Sequence, residues 1–142
     1  VEEILAQLEH KLTLGDMVRR TGFVSDVSEQ IQQLDALVVP CQRGEGIPMV
    51  ALEALSAGVP VIGSDVAAIR EVVRDGVEGL LAEQGDPAAL AQRVVDLAAS
   101  RENWAKLSAN AVTRHRECFT DTKMNERIAN CYDRVLDAKF RR

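Results

Sequence analysis

The sequence predicts an α/β fold, a parallel sheet with helices on both faces, followed by a run of helices alone. Three observations carry this. Short β-branched apolar runs alternate with stretches of helical period from Val18 to Ala98, and such alternation calls for parallel strands joined by crossover helices. The stretch from Ala36 to Asp65 reads strand, glycine-rich loop, helix, strand, which is one complete βαβ unit. From Ser100 onward the apolar positions keep helical spacing only.

Each element follows from local chemistry. Ile4, Leu5, Leu8 and Leu12 form the stripe of an opening amphipathic helix that ends near Gly15. No N-cap precedes it and the chain starts on Val1, so the sequence reads as cut from a longer one. Val18 to Val24 is a strand candidate with Gly22 inside it, and Ser25 or Asp26 can cap a short helix bearing Val27, Ile31 and Leu34. The run Ala36 to Val39 is a buried strand that stops at Pro40. In the loop after it Gly44 and Gly46 flank Glu45, and Pro48 is expected in the first helical turn, where its missing N–H costs nothing. That helix carries Met49, Val50, Leu52 and Leu55, and Gly58 is placed to end it in a left-handed cap.

Pro60 opens the strand at Val61 to Gly63, at the one position a strand tolerates it. After Asp65 a brief helix with Ile69, Val72 and Val73 leads to an Asp75-Gly76 turn and a strand from Gly79 to Ala82. Asp86 is the N-cap and Pro87 the first residue of the next helix, whose apolar face is Leu90, Val94, Leu97 and Ala98. Trp104, Leu107 and Ala111 mark one further helix; Met124, Ile128, Cys131, Val135 and Leu136 mark another after Thr120. Residues 1–115 therefore read as one domain, and 116–142 as a C-terminal helix belonging to the same unit.

With 142 residues and 46% hydrophobic side chains the chain can bury one core. A net charge of −5, with 17 scattered basic residues, argues against nucleic acid as a partner. No apolar run approaches the ~20 residues that span a bilayer, and residues 1–12 are too charged for a signal peptide. Cys41, Cys118 and Cys131 are odd in number and lack metal-ligand spacing, which fits small buried hydrophobes in a reduced, cytoplasmic protein. His10 and His115 lie far from the glycine-rich loop and carry no chemical role.

That loop suggests anion binding. N–H groups at a helix start are unsatisfied donors in a positive potential, so Gly46, Ile47, Met49 and Val50 make a phosphate cradle, while Pro48 has no N–H to give. Glu45 and Glu53, separated by seven residues, would repel phosphate, so their task there is to accept hydrogen bonds from hydroxyls; a carboxylate takes two side by side, which suits vicinal diols. Eight residues of helix span ~12 Å, and a start before the helix shortens the gap towards the reach of a diphosphate with a sugar at each end. The plain alternative is a common βα turn, with Glu45 a favourable N-terminal charge and Glu53 a solvated residue.

The stretch GEGIPMVALEALSAGVPVI resembles the donor-binding signature of retaining GT-B glycosyltransferases of the large family 4 type: Glu, seven residues, Glu, then Ala, a small-residue helix and Gly-x-Pro-Val-Ile. The resemblance continues through Glu71-Val72-Val73, Asp75-Gly76, Gly79-Leu80-Leu81 and Gly85-Asp86-Pro87, and upstream through Gly22-Phe23-Val24 and Leu34 to Pro40, so that it covers residues 1–115. It implies the Rossmann-like C-terminal domain of such an enzyme, truncated at its N-terminal strands. Carried over, Glu53 is the ribose ligand. Glu45 contacts the transferred sugar and helps to place the anomeric carbon, which makes it the catalytic candidate. Gly46, Ile47, Pro48, Met49 and Val50 form the loop that grips the diphosphate. The donor is a UDP-, GDP- or ADP-sugar, and the resemblance implies no metal and no further cofactor.

Two departures stand out. Ile47 occupies a position often aromatic in the family, and the glycine pair expected after Asp65 reads Ala67-Ala68, with Arg70 where proline is frequent. Alanine limits φ > 0, which puts backbone contacts from that loop in doubt. Arg43 is an extra cation that pairs with phosphate or stays solvated. The resemblance further implies an N-terminal acceptor-binding domain, through which the enzyme could sit at the inner membrane, and two strands with an Arg and Lys pair. These are expected to be absent here, the strands belonging between Val18–Val24 and Ala36–Val39. Their loss would leave an open sheet edge through which the chain self-associates or swaps, and would leave it catalytically silent alone. Alternatives are a GT-B sugar-nucleotide epimerase, a non-catalytic binding or assembly module, and a flavodoxin-like domain, which would want more acidic residues at strand ends than Asp65.

Overall fold

The computed structural model describes residues 2–41 and 46–140. In order the elements are α1 (Glu2–Lys11), a 3-10 turn (Gly15–Met17), α2 (Val27–Ile31), β1 (Leu37–Val39), α3 (Met49–Ser56), β2 (Val61–Ser64), α4 (Ala67–Val72), β3 (Gly79–Ala82), α5 (Pro87–Ala98), α6 (Arg101–Cys118) and α7 (Asp121–Phe140). The three strands form one parallel sheet in the order β1-β2-β3, with Leu37 opposite Val61 and Val61 opposite Gly79.

Strand periodicity sorts the core into two layers. Val61 and Leu81 point to one face, where they meet Ala51, Ala54 and Leu55 of α3, Ile69 and Val72 of α4 and Ala111 of α6. Ile62 and Leu80, one residue out of phase, point to the other face and meet Leu97 of α5 and Leu107 of α6. All of β2 and β3 is buried, as strands covered on both faces require. α6 belongs to both layers and is pinned by polar contacts: the Trp104 indole N–H donates to Asp35 C=O at 2.6 Å, Asn110 Nδ2 to Val77 C=O at 2.9 Å, and Arg114 to Glu71 C=O at 3.1 Å.

The expected caps are present. Asp26 accepts from Ser28 N–H and Asp86 from Ala88 and Ala89 N–H, with Pro87 opening α5. Gly58, at φ +73°, ends α3: its N–H donates to Leu55 C=O at 3.1 Å, and Val59 N–H to Ala54 C=O at 2.8 Å, the paired bonds of a Schellman motif. Gly79 is required by contact rather than conformation, since a Cβ there would lie 1.9 Å from the Val61 carbonyl oxygen.

The structure departs from the expectations at five places. Val18 to Val24 is not a strand; it has no ladder partner, and Phe23 is 97% exposed. A strand exists only through its neighbour's hydrogen bonds, and β1 has a neighbour at β2 alone. Pro48 lies outside α3, extended at φ −71° and ψ 115°, with its carbonyl accepting from Ala51 N–H at 3.0 Å. α3 buries Ala51, Ala54 and Leu55, while Met49 is 65% exposed, because close approach to α6 selects small side chains. On α5 only Leu97 is fully buried; Val94 and Ala98 border an open apolar trough of about 320 Å³ with Asp35, Ala36, Ile62 and Trp104. The helices α1 and α7 form as expected, but their apolar stripes, Ile4, Leu5, Leu8 and Leu12 and then Met124, Ile128, Val135 and Leu136, stay open. No helix among the described residues is long and apolar enough to cross a membrane.

Candidate functional site

Every strand of the sheet runs the same way, so the starts of α3 and α4 and the turn before α5 gather at one end, the carboxyl ends of β1, β2 and β3. That end of an open parallel sheet is where ligands bind. Its helices differ in how they start. Helices α2, α5 and α6 are capped by the side chains of Asp26, Asp86 and Ser100, whereas α3 and α4, which follow β1 and β2 directly, have no side-chain cap. In α3 the first turn is tied by Ala51 N–H to Pro48 C=O, which leaves the Met49 and Val50 N–H groups ahead of that bond. They are donors at the positive end of the helix dipole.

The predicted residues sort as follows. Gly46 and Ile47 are exposed, Pro48 and Val50 half-buried, and Met49 exposed, so the approach to α3 is open to a ligand. Glu53 is exposed on α3, one turn beyond Met49. Its carboxylate has no hydrogen-bond or ion-pair partner among the described residues, while its carbonyl accepts from Ser56 Oγ at 2.7 Å. Glu45, with Arg43 and Gly44, lies outside the described residues. Of the six described candidates, Met49, Val50 and Glu53 thus lie on α3, and Gly46, Ile47 and Pro48 lead into it. The sequence reading missed the neighbours of Glu53: a cavity of about 140 Å³ between α2 and α3 is lined by Ser28, Ile31, Gln32, Glu53, Ser56 and Ala57. The signal for it was the Asp26 cap, which sets where α2 starts and therefore where Ser28 and Gln32 fall.

The departure at Ala67-Ala68 carries no backbone strain. Both residues open α4, and Thr13 is the one non-glycine residue with positive φ among those described. Arg70 instead folds back on the strand end. Its Nη2 donates to Asp65 Oδ2 at 2.7 Å and its Nε to Oδ1, and this hydrogen bonding holds the Asp65 carboxyl below the usual carboxylate range. The pair ties the β2–α4 turn that borders the site. No group of three or more His, Cys, Asp or Glu side chains placed to hold a metal ion occurs among the described residues.

The sequence profile of the family described as glycosyl transferases group 1 matches residues 2–100. The D-inositol 3-phosphate glycosyltransferase of Thermobispora bispora is 32% identical over 140 residues, 97% of this chain and 32% of that protein. Among solved structures, Anabaena HepE in complex with UDP superposes with a TM-score of 0.87 at 24% identity, over 92% of this chain and 36% of that one. The sucrose-phosphate synthase of Thermosynechococcus elongatus does so with a TM-score of 0.82 at 26% identity, over 94% of this chain and 34% of that one. The chain thus spans about a third of the length of the proteins it resembles.

Proposed function

The chain belongs to the group 1 glycosyl transferases, and we propose that it is the donor-binding domain of an enzyme that moves a sugar from a nucleoside diphosphate to an acceptor. The observation that carries this is the open start of α3 at the carboxyl edge of the sheet, with an unpartnered Glu53 one turn along. As the bond between the anomeric carbon and the diphosphate oxygen breaks, negative charge collects on the leaving diphosphate. The Gly46, Ile47, Met49 and Val50 N–H groups stabilise that charge with fixed dipoles, and Pro48 sets the turn that presents them. Glu53 accepts the ribose hydroxyls, and Glu45 orients the transferred sugar with retention at the anomeric carbon. No metal ion is needed in this scheme, because the helix start and basic groups from outside this chain share the charge. The acceptor-binding half also lies outside it, so the chain alone transfers no sugar.

Isothermal titration with UDP, GDP, ADP and their glucose or mannose conjugates tests the reading. One nucleotide binds, and Glu53→Ala weakens it by about 1–3 kcal/mol, the contribution of charge-assisted hydrogen bonds. Binding that survives Glu53→Ala unchanged overturns the ribose assignment and favours a non-catalytic binding or assembly module. Among the described residues β1 has no strand partner on its outer edge, and an edge of that kind templates pairing. The chain is therefore expected to self-associate, and a monomer at every concentration in sedimentation equilibrium refutes this.

A further inference from the structure

A second cavity, larger than the one beside Glu53, opens at the carboxyl end of the sheet, on the face covered by α5. It measures about 230 Å³ and is lined by Pro40, Ser64, Glu83, Gly85, Asp86, Pro87 and Leu90. Pro40 follows β1, Ser64 ends β2, Glu83 follows β3, and Asp86 with Pro87 begins α5, so the cavity is built from the carboxyl ends of all three strands and one helix start. We propose that it is a subsite for a neutral, hydroxyl-bearing ring of monosaccharide size, with Ser64 and Glu83 as its recognition groups. The inference rests on the glycosyltransferase reading above and assigns a second site within it.

Ser64 carries the argument. It is 5% exposed, it lines the cavity, and its hydroxyl makes no hydrogen bond among the described residues. The hydroxyl is not sealed in the core, since among the described residues the sealed unpaired side-chain polar atom is Arg114 Nε; it keeps access to the cavity, where a ligand or water supplies the partner. Glu83 adds a carboxylate that is also unpartnered among the described residues. The remaining polar group is already engaged: Asp86 Oδ1 accepts from Ala88 N–H at 2.9 Å and Ala89 N–H at 3.0 Å. Pro87 has no N–H.

That arrangement selects against phosphate. The α5 start has its own carboxylate cap and Glu83 adds a second negative charge, so an anion meets repulsion and no free N–H from the first two residues of the helix. The uncapped start of α3 is the opposite case. A sugar hydroxyl, by contrast, donates to Glu83 and accepts from Ser64, while Pro40, Pro87 and Leu90 offer apolar surface to the C–H face of a ring. The volume lies below the ~300–1,000 Å³ of sites for drug-sized ligands and far above the ~30 Å³ of one water, which suits one ring. The ring comes either from the donor's own sugar or from a sugar acceptor; the chemistry recognised is the same.

The test follows the Ser64, Gly85 and Leu90 amide resonances of the chain during titration with D-glucose, D-mannose, UDP, UDP-glucose, GDP and GDP-mannose, in wild type, Ser64→Ala and Glu83→Gln. The sugars shift these amides, and each variant weakens the effect about three- to tenfold, the size of one neutral or charged hydrogen bond. If the source is the donor, the preference for a nucleotide sugar over its bare nucleotide falls by the same factor in both variants. If the source is the acceptor, that preference is unchanged and free sugar still binds alongside nucleotide. Nucleotide binding with no sugar-dependent shift at these amides overturns the subsite and leaves the donor reading standing. Sugar-dependent shifts without any nucleotide binding uphold the subsite and overturn the donor reading.

Discussion

The turn between α4 and β3, at the amino end of the sheet and so opposite the candidate site, contains an ion pair with one buried partner, whose removal tests how that end of the sheet is held. Glu78 is 0% exposed. Its Oε2 accepts the Arg74 backbone N–H at 2.8 Å, and its Oε1 accepts Arg74 Nε at 2.8 Å and Nη2 as well. The hydrogen bonding to Glu78 is also what raises the Arg74 guanidinium above its usual value. Arg74→Ala leaves a sealed carboxylate with one backbone donor. Breaking a fully buried pair costs about 3–5 kcal/mol and an exposed one about 0–1 kcal/mol. The Arg74 side chain is 56% exposed and that of Glu78 0%, so the expected loss is between these limits, about 2–3 kcal/mol. Removing the charge as well, in the double variant Arg74→Ala with Glu78→Leu, recovers part of it, because no uncompensated ion remains. Urea unfolding followed by circular dichroism at neutral pH resolves both differences. A single variant within about 0.5 kcal/mol of wild type, or a double variant worse than the single, would refute the reasoning.

Two further outcomes follow from the packing and the charges. Gly79→Ala places a Cβ 1.9 Å from a backbone oxygen of β2 that cannot move without breaking the β2–β3 ladder, so it costs more than about 3 kcal/mol or prevents folding. Gly76→Ala, in open space at φ +72°, costs only the left-handed strain of about 1–2 kcal/mol; comparing soluble yield and urea midpoints checks the order, and equal effects sink the argument. Asp65 is held below its usual value first by hydrogen bonding to Arg70. A carboxyl depressed in the folded state adds stability that is complete above its unfolded value near about 3.9 and is lost as pH falls through the lower folded value. Arg70→Ala removes that component, so the stability profiles of variant and wild type converge in acid and part above pH ~4; a constant gap across the range contradicts the assignment.

Much of this was legible in the chain. The order of elements from Ala36 to Phe119, the Asp26 and Asp86 caps, the left-handed Gly58 and the uncapped α3 all rest on interactions within a few residues, and residue types alone specify those. The spacing of Glu45 and Glu53 suggests the proposed donor site from the sequence alone; of the two, the structure describes Glu53, and Glu45 falls outside the described residues. Val18 to Val24 shows where this fails. Its residues suit a strand, but a strand needs a neighbour's hydrogen bonds, and β1 does not supply them.

What the sequence determined by itself was local: periodicity, caps, turn chemistry and the signature of one helix start, because each is written within about one or two turns of chain. What only the tertiary structure decided was which groups meet. Ser64 and Glu83 stand 19 residues apart, and no pattern between them announces that they share a cavity. The β2–β3 register brings the two strand ends side by side, and the α5 cap uses up the one helix start that would have made the cavity an anion site. Both depend on hydrogen bonds between segments distant in the chain, and such pairings are fixed by the packing of the whole core rather than by any one stretch.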